Sequence, residues 1–266
     1  MTNIPRTLTI AGSDSGGGAG IQADLKMMAA LGCYGMTAVT SVTVQNTRGV
    51  FGAHDIPAET VAAQMDAVLD DLGVEAAKTG MLSSAEIIAA VADSLRRHSV
   101  PNLVVDPVMV AKSGDPLLHE SARAALRELL LPCALMVTPN VPEAAVLAEC
   151  EVDDETGLRE AAERIHALGP RYVLMKGGHM PGTDATDFLY DGAVWRPYTA
   201  ERVHTKNTHG TGCTYSAAIA CFLARGFPVE VAVGRAKDYL TGAIRNSLAL
   251  GGGHGPLGHG WRTPAP

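Results

Sequence analysis

The residues best suited to chemistry stand in the run Asn207-Thr208-His209-Gly210-Thr211-Gly212-Cys213, which leads into Thr214–Ala224, a stretch of helical character. Gly210 and Gly212 let the backbone turn tightly and approach a ligand. Thr208 and Thr211 are of the type that caps a helix start. The free N–H groups of a first helical turn, with the helix dipole behind them, favour an anion such as phosphate. Cys213 sits just inside the helix, where a thiol's pKa tends to fall. A capped turn entering a buried helix gives the same short pattern, so the other motifs must decide.

Gly12–Gly20 holds five glycines after an apolar run. It lacks the Gly-Lys-Ser/Thr ending of a P-loop and the Gly-x-Gly-x-x-Gly spacing of a dinucleotide fingerprint, yet it lets something approach the backbone closely. Asp24 follows on the next helix, where a surface carboxylate near the first turn is the plain expectation. Gln45 closes a β-branched run and can donate and accept at once, as a heterocycle edge requires. Asp106 and Glu143 each lie beyond a strand; Mg²⁺ prefers oxygen ligands, keeps several waters and needs few protein carboxylates. Lys176, at the end of the apolar run Tyr172–Met175, can neutralise phosphate charge, although a snorkelling surface lysine is commoner.

The elements that must position these groups alternate. Strands are expected at residues 7–11, 36–44, 75–79, 103–105, 134–138 and 172–175. Helices are expected at 21–31, 57–72, 84–98, 119–131, 143–149, 156–168, 211–224 and 229–248, with Ser84 as an N-cap and Pro57 opening its helix. Residues 188–190 and 194–198, joined by Asp191-Gly192, read as a hairpin. The pattern predicts an α/β fold: a mainly parallel central sheet with helices on both faces, in one domain over residues 1–266. Ligands of such sheets gather at the carboxyl ends of the strands. Gly12–Gly20, Asp106, Asn140, Lys176–Gly178 and Asn207–Cys213 all fall at such ends, as if they form one site.

Hydrophobic residues make up 47% and charged residues 18%, the balance of an ordinary folded chain. A net charge of −7 argues against nucleic acid or an anionic membrane as the main partner. No apolar run reaches the ~18 residues a membrane helix needs. Five cysteines without a CxxC pair, and a start that runs straight into a strand, suggest a reducing cytoplasm. His254 and His259 lie in a Gly-rich tail without companion ligands and read as surface or packing residues.

Taken in order, Gly12–Gly20, Asp24, Gln45-Asn46-Thr47, Lys78-Thr79-Gly80-Met81, Asp106–Met109, Lys112–Leu118, Thr138–Glu143, Met175–His179 and Asn207–Cys213 resemble the hydroxymethylpyrimidine/phosphomethylpyrimidine kinase family, the thiamine-biosynthesis branch of the ribokinase-like superfamily. The likeness runs from about residue 6 to the Gly-rich tail. The glycine loop departs from the family's usual Asp-Pro-Ser-Gly-Gly-Ala-Gly, because Ser15-Gly16 replaces the Pro-Ser step. The resemblance implies a ribokinase-like three-layer sandwich and ATP-dependent phosphorylation of 4-amino-5-hydroxymethyl-2-methylpyrimidine, then of its monophosphate. It implies that Asp24 and Gln45 hydrogen-bond the aminopyrimidine, and that Gly12, Ala19, Thr43, Met81 and Val108 line its pocket. Asp106 and Glu143 would serve Mg²⁺. Asn140, Lys176, Thr208 and Lys237 would address the phosphates of ATP, and Gly210 to Cys213 would form the anion hole. Lys112–Leu118 would be a mobile flap, and the assembly a homodimer. Sugar-kinase relatives carry an aspartate base where Cys213 stands.

Pyridoxal, with a similar hydroxymethyl group on a six-membered ring, is the alternative substrate. A non-catalytic sensor on the same fold should have lost the carboxylates or the anion hole, and Asp106, Glu143, Lys176 and Gly210–Gly212 are all present. A dinucleotide-dependent oxidoreductase would need the missing Rossmann fingerprint.

Overall fold

A computed structural model describes residues 4–110, 117–118, 121–177 and 183–262. The expected flap, Lys112–Leu118, lies outside the described residues except for its last two positions, as do Gly178 and His179. The strands are β1 (Arg6–Asp14), β2 (Tyr34–Asn46), β3 (Gly49–Asp55), β4 (Ala76–Thr79), β5 (Leu103–Val105), β6 (Met136–Val137), β7 (Tyr172–Met175), β8 (Asp184–Tyr190) and β9 (Trp195–Glu201). They form one sheet in the order β3-β2-β1-β4-β5-β6-β7-β8-β9. Pairing is parallel from β2 through β1, β4, β5 and β6 to β7, and antiparallel for β3 on β2, β8 on β7 and β9 on β8.

The central strands are apolar on both faces because helices cover both. Alternation within β5 sends Leu103 and Val105 into one core and Val104 into the other. The first core packs under α2 (Ala58–Asp71), α3 (Ala85–Arg97), α5 (Val141–Ala148) and α6 (Glu155–His166). The second packs under α1 (Gly20–Ala30), α7 (Thr211–Ala224) and α8 (Val229–Arg245). Ser84 caps α3 by accepting the Ile87 N–H at 3.3 Å. The hairpin at Asp191-Gly192 forms as expected, with Gly192 at φ +93°.

Three features depart from the sequence expectation. β3 was not anticipated: its residues are half-buried or exposed and lack a clean apolar alternation. The segment expected as one helix to Leu131 is instead a short α4 (Ala122–Ala125), a π-helical turn at Leu126–Leu130 and a 3-10 turn at Leu131–Cys133. Pro132 has no N–H to continue an α-ladder, and Leu131 N–H reaches back five residues to the Leu126 carbonyl. The strand expected over 134–138 shortens to Met136–Val137, since Ala134 belongs to the turn that closes at Leu131.

The Gly-rich tail returns to the sheet's carboxyl edge. His254 N–H donates to Thr47 O at 2.8 Å, Gly255 N–H to Asn207 Oδ1 at 3.2 Å, and His209 N–H to Gly255 O at 3.1 Å. His259 is buried with Nε2 2.9 Å from Thr214 Oγ1, while the ring of the exposed His254 meets the Lys206 carbonyl at 2.8 Å, so both act as packing or surface residues.

Candidate active site

Asp106 follows β5, Thr138 follows β6 and Lys176 follows β7, so the parallel sheet delivers all three to one edge. Lys176 Nζ donates to Asp106 Oδ1 at 2.9 Å and lies 3.7 Å from Glu143 Oε2. Thr138 Oγ1 and Ser216 Oγ approach the two Asp106 oxygens at 3.3 Å each. Burial pushes the Glu143 carboxyl up to about 7, with Lys176 opposing and the nearby Asp106 charge adding to the rise. Lys176 is raised above its ordinary value: desolvation opposes the charge, but Asp106 and Glu143 outweigh it.

α7 begins directly above this cluster. A Cβ placed on Gly212 would lie 3.3 Å from Asp106 Oδ2 and 3.5 Å from Lys176 Nζ. The expected threonine caps are not there. Gly210 is the N-cap, in the left-handed region at φ +82°, and no side chain caps the turn. Thr211 Oγ1 instead donates to the Thr208 carbonyl at 2.7 Å, and Thr214 Oγ1 meets His259. Thr211 N–H turns back to the Thr208 carbonyl at 3.3 Å, and among the described residues no side chain caps the helix start where Lys176 arrives, as an anion site requires. A Cβ on Gly210 would collide with the Gly18 carbonyl oxygen, so this turn rests on the glycine loop.

Asp14 organises that loop. Its Oδ1 accepts Gly16 N–H at 2.8 Å, and its Oδ2 accepts Gly18 N–H at 2.9 Å, Ala19 N–H at 2.8 Å and His209 Nε2 at 2.8 Å. Burial alone would raise its carboxyl; the bonds from His209, Ala19 and Gly16 hold it below the usual range. Gln45 sits beside His209, with one end of its amide 3.4 Å from His209 Nε2 and the other 3.2 Å from Thr43 Oγ1. Gly12 faces Met81, whose Cε would lie 2.7 Å from a Cβ at that position. Half-buried Val108 lines a small cavity with Asp106, Gly80 and Thr79.

Several expectations change. Asp24 is not a surface carboxylate: it is fully buried, its Oδ2 taking Lys78 Nζ at 2.8 Å and Thr9 Oγ1 at 2.6 Å. Its Oδ1 has no partner among the described residues. The Cys213 thiol does not fall; burial pushes it up to about 11, with Lys78 opposing and Asp24 and Asp106 adding to the rise. Asn140 and Glu143 form a capping box on α5, Glu143 N–H donating to Asn140 Oδ1 at 2.9 Å and Asn140 N–H to Glu143 Oε2 at 2.8 Å. Glu143 thus caps a helix and faces Lys176 at once. Lys237 is buried and donates to Asp187 Oδ2 at 2.7 Å, while Asp187 Oδ1 accepts Gly177 N–H at 3.0 Å, one residue beyond Lys176. Thr208 lies in the turn before α7, with its N–H on the Lys206 carbonyl.

The structure therefore brings together Asp106, Glu143, Lys176, Asn140 and Gly212 on one side, and Gln45, Thr43, Ala19 and His209 on the other. Asp14, Lys78, Ser216 and Asp187 carried no assigned role in the sequence reading. Lys78 was the most accessible of these: a lysine inside the apolar strand Ala76–Thr79 demands a buried counter-charge. Among the described residues no three-ligand metal cluster stands ready. The fit to Mg²⁺ rests on two buried carboxylates, Asp106 and Glu143, which converge on the same Lys176 ammonium at 2.9 Å and 3.7 Å.

Comparison with known proteins shows what the chain as a whole is similar to. The family described as phosphomethylpyrimidine kinase matches residues 14–258. A Streptomyces coelicolor hydroxymethylpyrimidine/phosphomethylpyrimidine kinase is 56% identical over 257 residues, covering 97% of this chain and 95% of that protein. The thiamine biosynthesis bifunctional protein ThiED of Geobacter sulfurreducens is 53% identical over 252 residues, covering 95% of this chain and 51% of that protein. Among solved structures, an ADP complex of Bacillus subtilis pyridoxal kinase superposes with a TM-score of 0.91 at 41% identity, covering 98% of this chain and 100% of that one. Phosphomethylpyrimidine kinase from Clostridium difficile 630 gives 0.81 at 43% identity, covering 90% of this chain and 99% of that one.

Proposed function

The chain belongs to the phosphomethylpyrimidine kinase family and is a phosphotransferase, and from that premise we propose that it phosphorylates 4-amino-5-hydroxymethyl-2-methylpyrimidine from ATP, then phosphorylates the monophosphate to the diphosphate, in thiamine diphosphate biosynthesis. The observation that carries this reading is Gly212, at the uncapped start of α7, standing against both Asp106 and Lys176. Phosphoryl transfer needs positioning and charge neutralisation more than covalent chemistry, and these groups supply the second.

The first-turn N–H groups of Gly212 and Cys213 hold the phosphoryl oxygens, with Gly210 setting the turn. Lys176 approaches from the sheet edge to neutralise the transferred charge. Asn140 and Thr208 border the nucleotide phosphates. Lys237 contributes only if it leaves Asp187, and otherwise acts by tethering Gly177. Asp106 and Glu143 would hold Mg²⁺, which, bound with ATP, supplies positive charge to the phosphate oxygens. Gln45 hydrogen-bonds the aminopyrimidine, against walls from Gly12, Ala19, Thr43, Met81 and Val108; Asp24, expected beside it, has no exposed surface and is held by Lys78 and Thr9 instead. Cys213 starts as a neutral thiol, so it guides the hydroxyl proton rather than waiting as a thiolate.

A second reading, pyridoxal kinase, is raised by the TM-score of 0.91 with the Bacillus subtilis enzyme, whose 41% identity is below the 56% of the Streptomyces coelicolor pyrimidine kinase. The deciding experiment offers purified protein ATP with the hydroxymethylpyrimidine, its monophosphate or pyridoxal. Formation of the pyrimidine diphosphate supports the first reading, and turnover of pyridoxal alone overturns it.

Two further expectations belong to this reading. A homodimer is supported by Val42, Val44 and Phe51, exposed at 48%, 63% and 66% on the edge hairpin of β2 and β3. A cytoplasmic setting is supported by five unpaired cysteines, and no described helix is long and apolar enough to cross a membrane.

A further inference from the structure

Resting on the reading of Gln45 as the residue that meets the heterocycle, we propose that His209 is a specificity-determining positioning residue, which fixes the orientation of the Gln45 amide and thereby the ring edge the site accepts. His209 is 8% exposed, and its Nε2 lies 2.8 Å from Asp14 Oδ2. An ionised carboxylate can only accept, so His209 Nε2 carries a proton. At the other end of the network, Thr43 has one hydroxyl proton. Its shorter bond, 2.7 Å, goes to the Ser13 carbonyl, which also can only accept. Toward Gln45, Thr43 Oγ1 therefore offers a lone pair, and His209 Nε2 offers an N–H.

The Gln45 amide spans these two groups at 3.2 Å and 3.4 Å. Amide oxygen and nitrogen have nearly the same size, so proton count decides which goes where. With the nitrogen toward His209, two donors would oppose each other there and two acceptors would oppose each other at Thr43. Turned over, the amide nitrogen donates to Thr43 and the carbonyl accepts a second, weaker share of the His209 N–H. Only this arrangement satisfies both ends. The backbone of Gln45 is clamped as well, its N–H donating to Ser15 Oγ at 2.9 Å and its carbonyl accepting from the same hydroxyl at 2.7 Å.

One N–H and one carbonyl lone pair of Gln45 then remain for a ligand, in a fixed order. An aminopyrimidine presents an amino donor beside a ring-nitrogen acceptor, next to the carbon bearing the hydroxymethyl group. It is complementary to that order. Pyridoxal, laid in with its hydroxymethyl group in the same place, presents an aldehyde oxygen beside a phenolic oxygen, which puts an acceptor where the amino donor belongs. A freely turning amide would adapt to both rings; a fixed one leaves a buried acceptor facing an acceptor and rejects the second.

The test is the ratio of kcat/KM for the hydroxymethylpyrimidine to kcat/KM for pyridoxal. His209→Met removes the donor at similar volume and should lower the ratio on the order of tenfold, the smaller end of what one mismatched polar contact discriminates. The loss should lie in KM for the pyrimidine, with KM for ATP unchanged. His209→Gln, which returns an N–H at similar reach, should restore the ratio. In a Gln45→Ala background, His209→Met should change the ratio no further, because His209 acts through Gln45. An unchanged ratio in His209→Met, equal impairment of His209→Met and His209→Gln, or additive losses with Gln45→Ala would each overturn the proposal. If Gln45→Ala leaves KM for the pyrimidine as it was, the reading of Gln45 itself fails and this proposal with it. If Gln45→Ala raises that KM but His209→Met leaves the ratio alone, only the role of His209 falls. Should His209→Met not fold, Thr43→Val loosens the same amide from its other end, and an unchanged ratio there is equally fatal.

Discussion

Lys78 Nζ and Asp24 Oδ2 are 2.8 Å apart, and neither side chain has any exposed surface. The pair lies between the sheet and the layer of α1 and α7, where the parallel fold otherwise packs Ala76, Val104, Met27 and Ala217. Desolvation raises the Asp24 carboxyl despite its bonds from Lys78 and Thr9; it would lower the Lys78 ammonium, but the negative groups around it, Asp24 first, hold Lys78 above its ordinary value.

Lys78→Met should therefore destabilise the free protein by about 3–5 kcal/mol, because Asp24 is left as an uncompensated buried acid. Lys78→Met combined with Asp24→Asn should recover a large part of that loss. Urea melts of the wild type, Lys78→Met, Asp24→Asn and the double variant check this. Full additivity of the two changes would mean that the ions do not depend on each other.

Gly210→Ala and Gly212→Ala should fail in different ways. At Gly210 a Cβ meets the Gly18 carbonyl and the backbone sits at φ +82°, so alanine should cost more than about 1 kcal/mol of stability. At Gly212 the Cβ meets Asp106 Oδ2 at 3.3 Å and Lys176 Nζ at 3.5 Å, both at ordinary or slightly tight contact. Gly212→Ala should melt close to wild type yet lose kcat by roughly 10²-fold, the size of one lost oxyanion contact. A wild-type kcat would remove this turn from the reaction.

Glu143→Gln and Asp106→Asn should both raise the Mg²⁺ needed for half-maximal activity. Their stabilities should differ. Glutamine still offers an oxygen to Asn140 N–H, so Glu143→Gln should stay within about 0.5 kcal/mol of wild type. Asp106→Asn leaves Lys176 with Glu143, 3.7 Å away, as its one carboxylate partner among the described residues, and should be measurably less stable. Unchanged Mg²⁺ dependence in both variants would leave these carboxylates with a structural role only.

The Cys213 thiol gives a pH test. A thiol reacts as its thiolate, and the group's pKa is about 11 against an ordinary 9.0, so below 11 the thiolate fraction grows as pH rises. Alkylation of Cys213 by iodoacetamide in the free protein, followed on its own peptide, should therefore climb about tenfold per pH unit from pH 7 to pH 9 without a plateau. A plateau below pH 8 would mean that the helix start outweighs burial and that a resting thiolate is available as a base.

The sequence by itself determined the alternation of strand and helix, the two-faced parallel sheet, and the gathering of Asp106, Asn140, Lys176 and the α7 turn at one edge. It could do so because buried parallel strands read as short apolar runs, and their carboxyl ends are marked by a sudden polar or glycine residue. Partners far apart in the chain were decided only by the tertiary structure. Asp14 and His209 are 195 positions apart, Lys78 and Asp24 54, Asp106 and Ser216 110. No local pattern records such pairings, so Asp24 read as a surface residue and Asp14 as a loop residue. The direction of the Cys213 shift was hidden for the same reason: a helix start is visible in the sequence, but the depth of burial and the two carboxylates brought beside the thiol come from the packing of α1, α7 and the sheet.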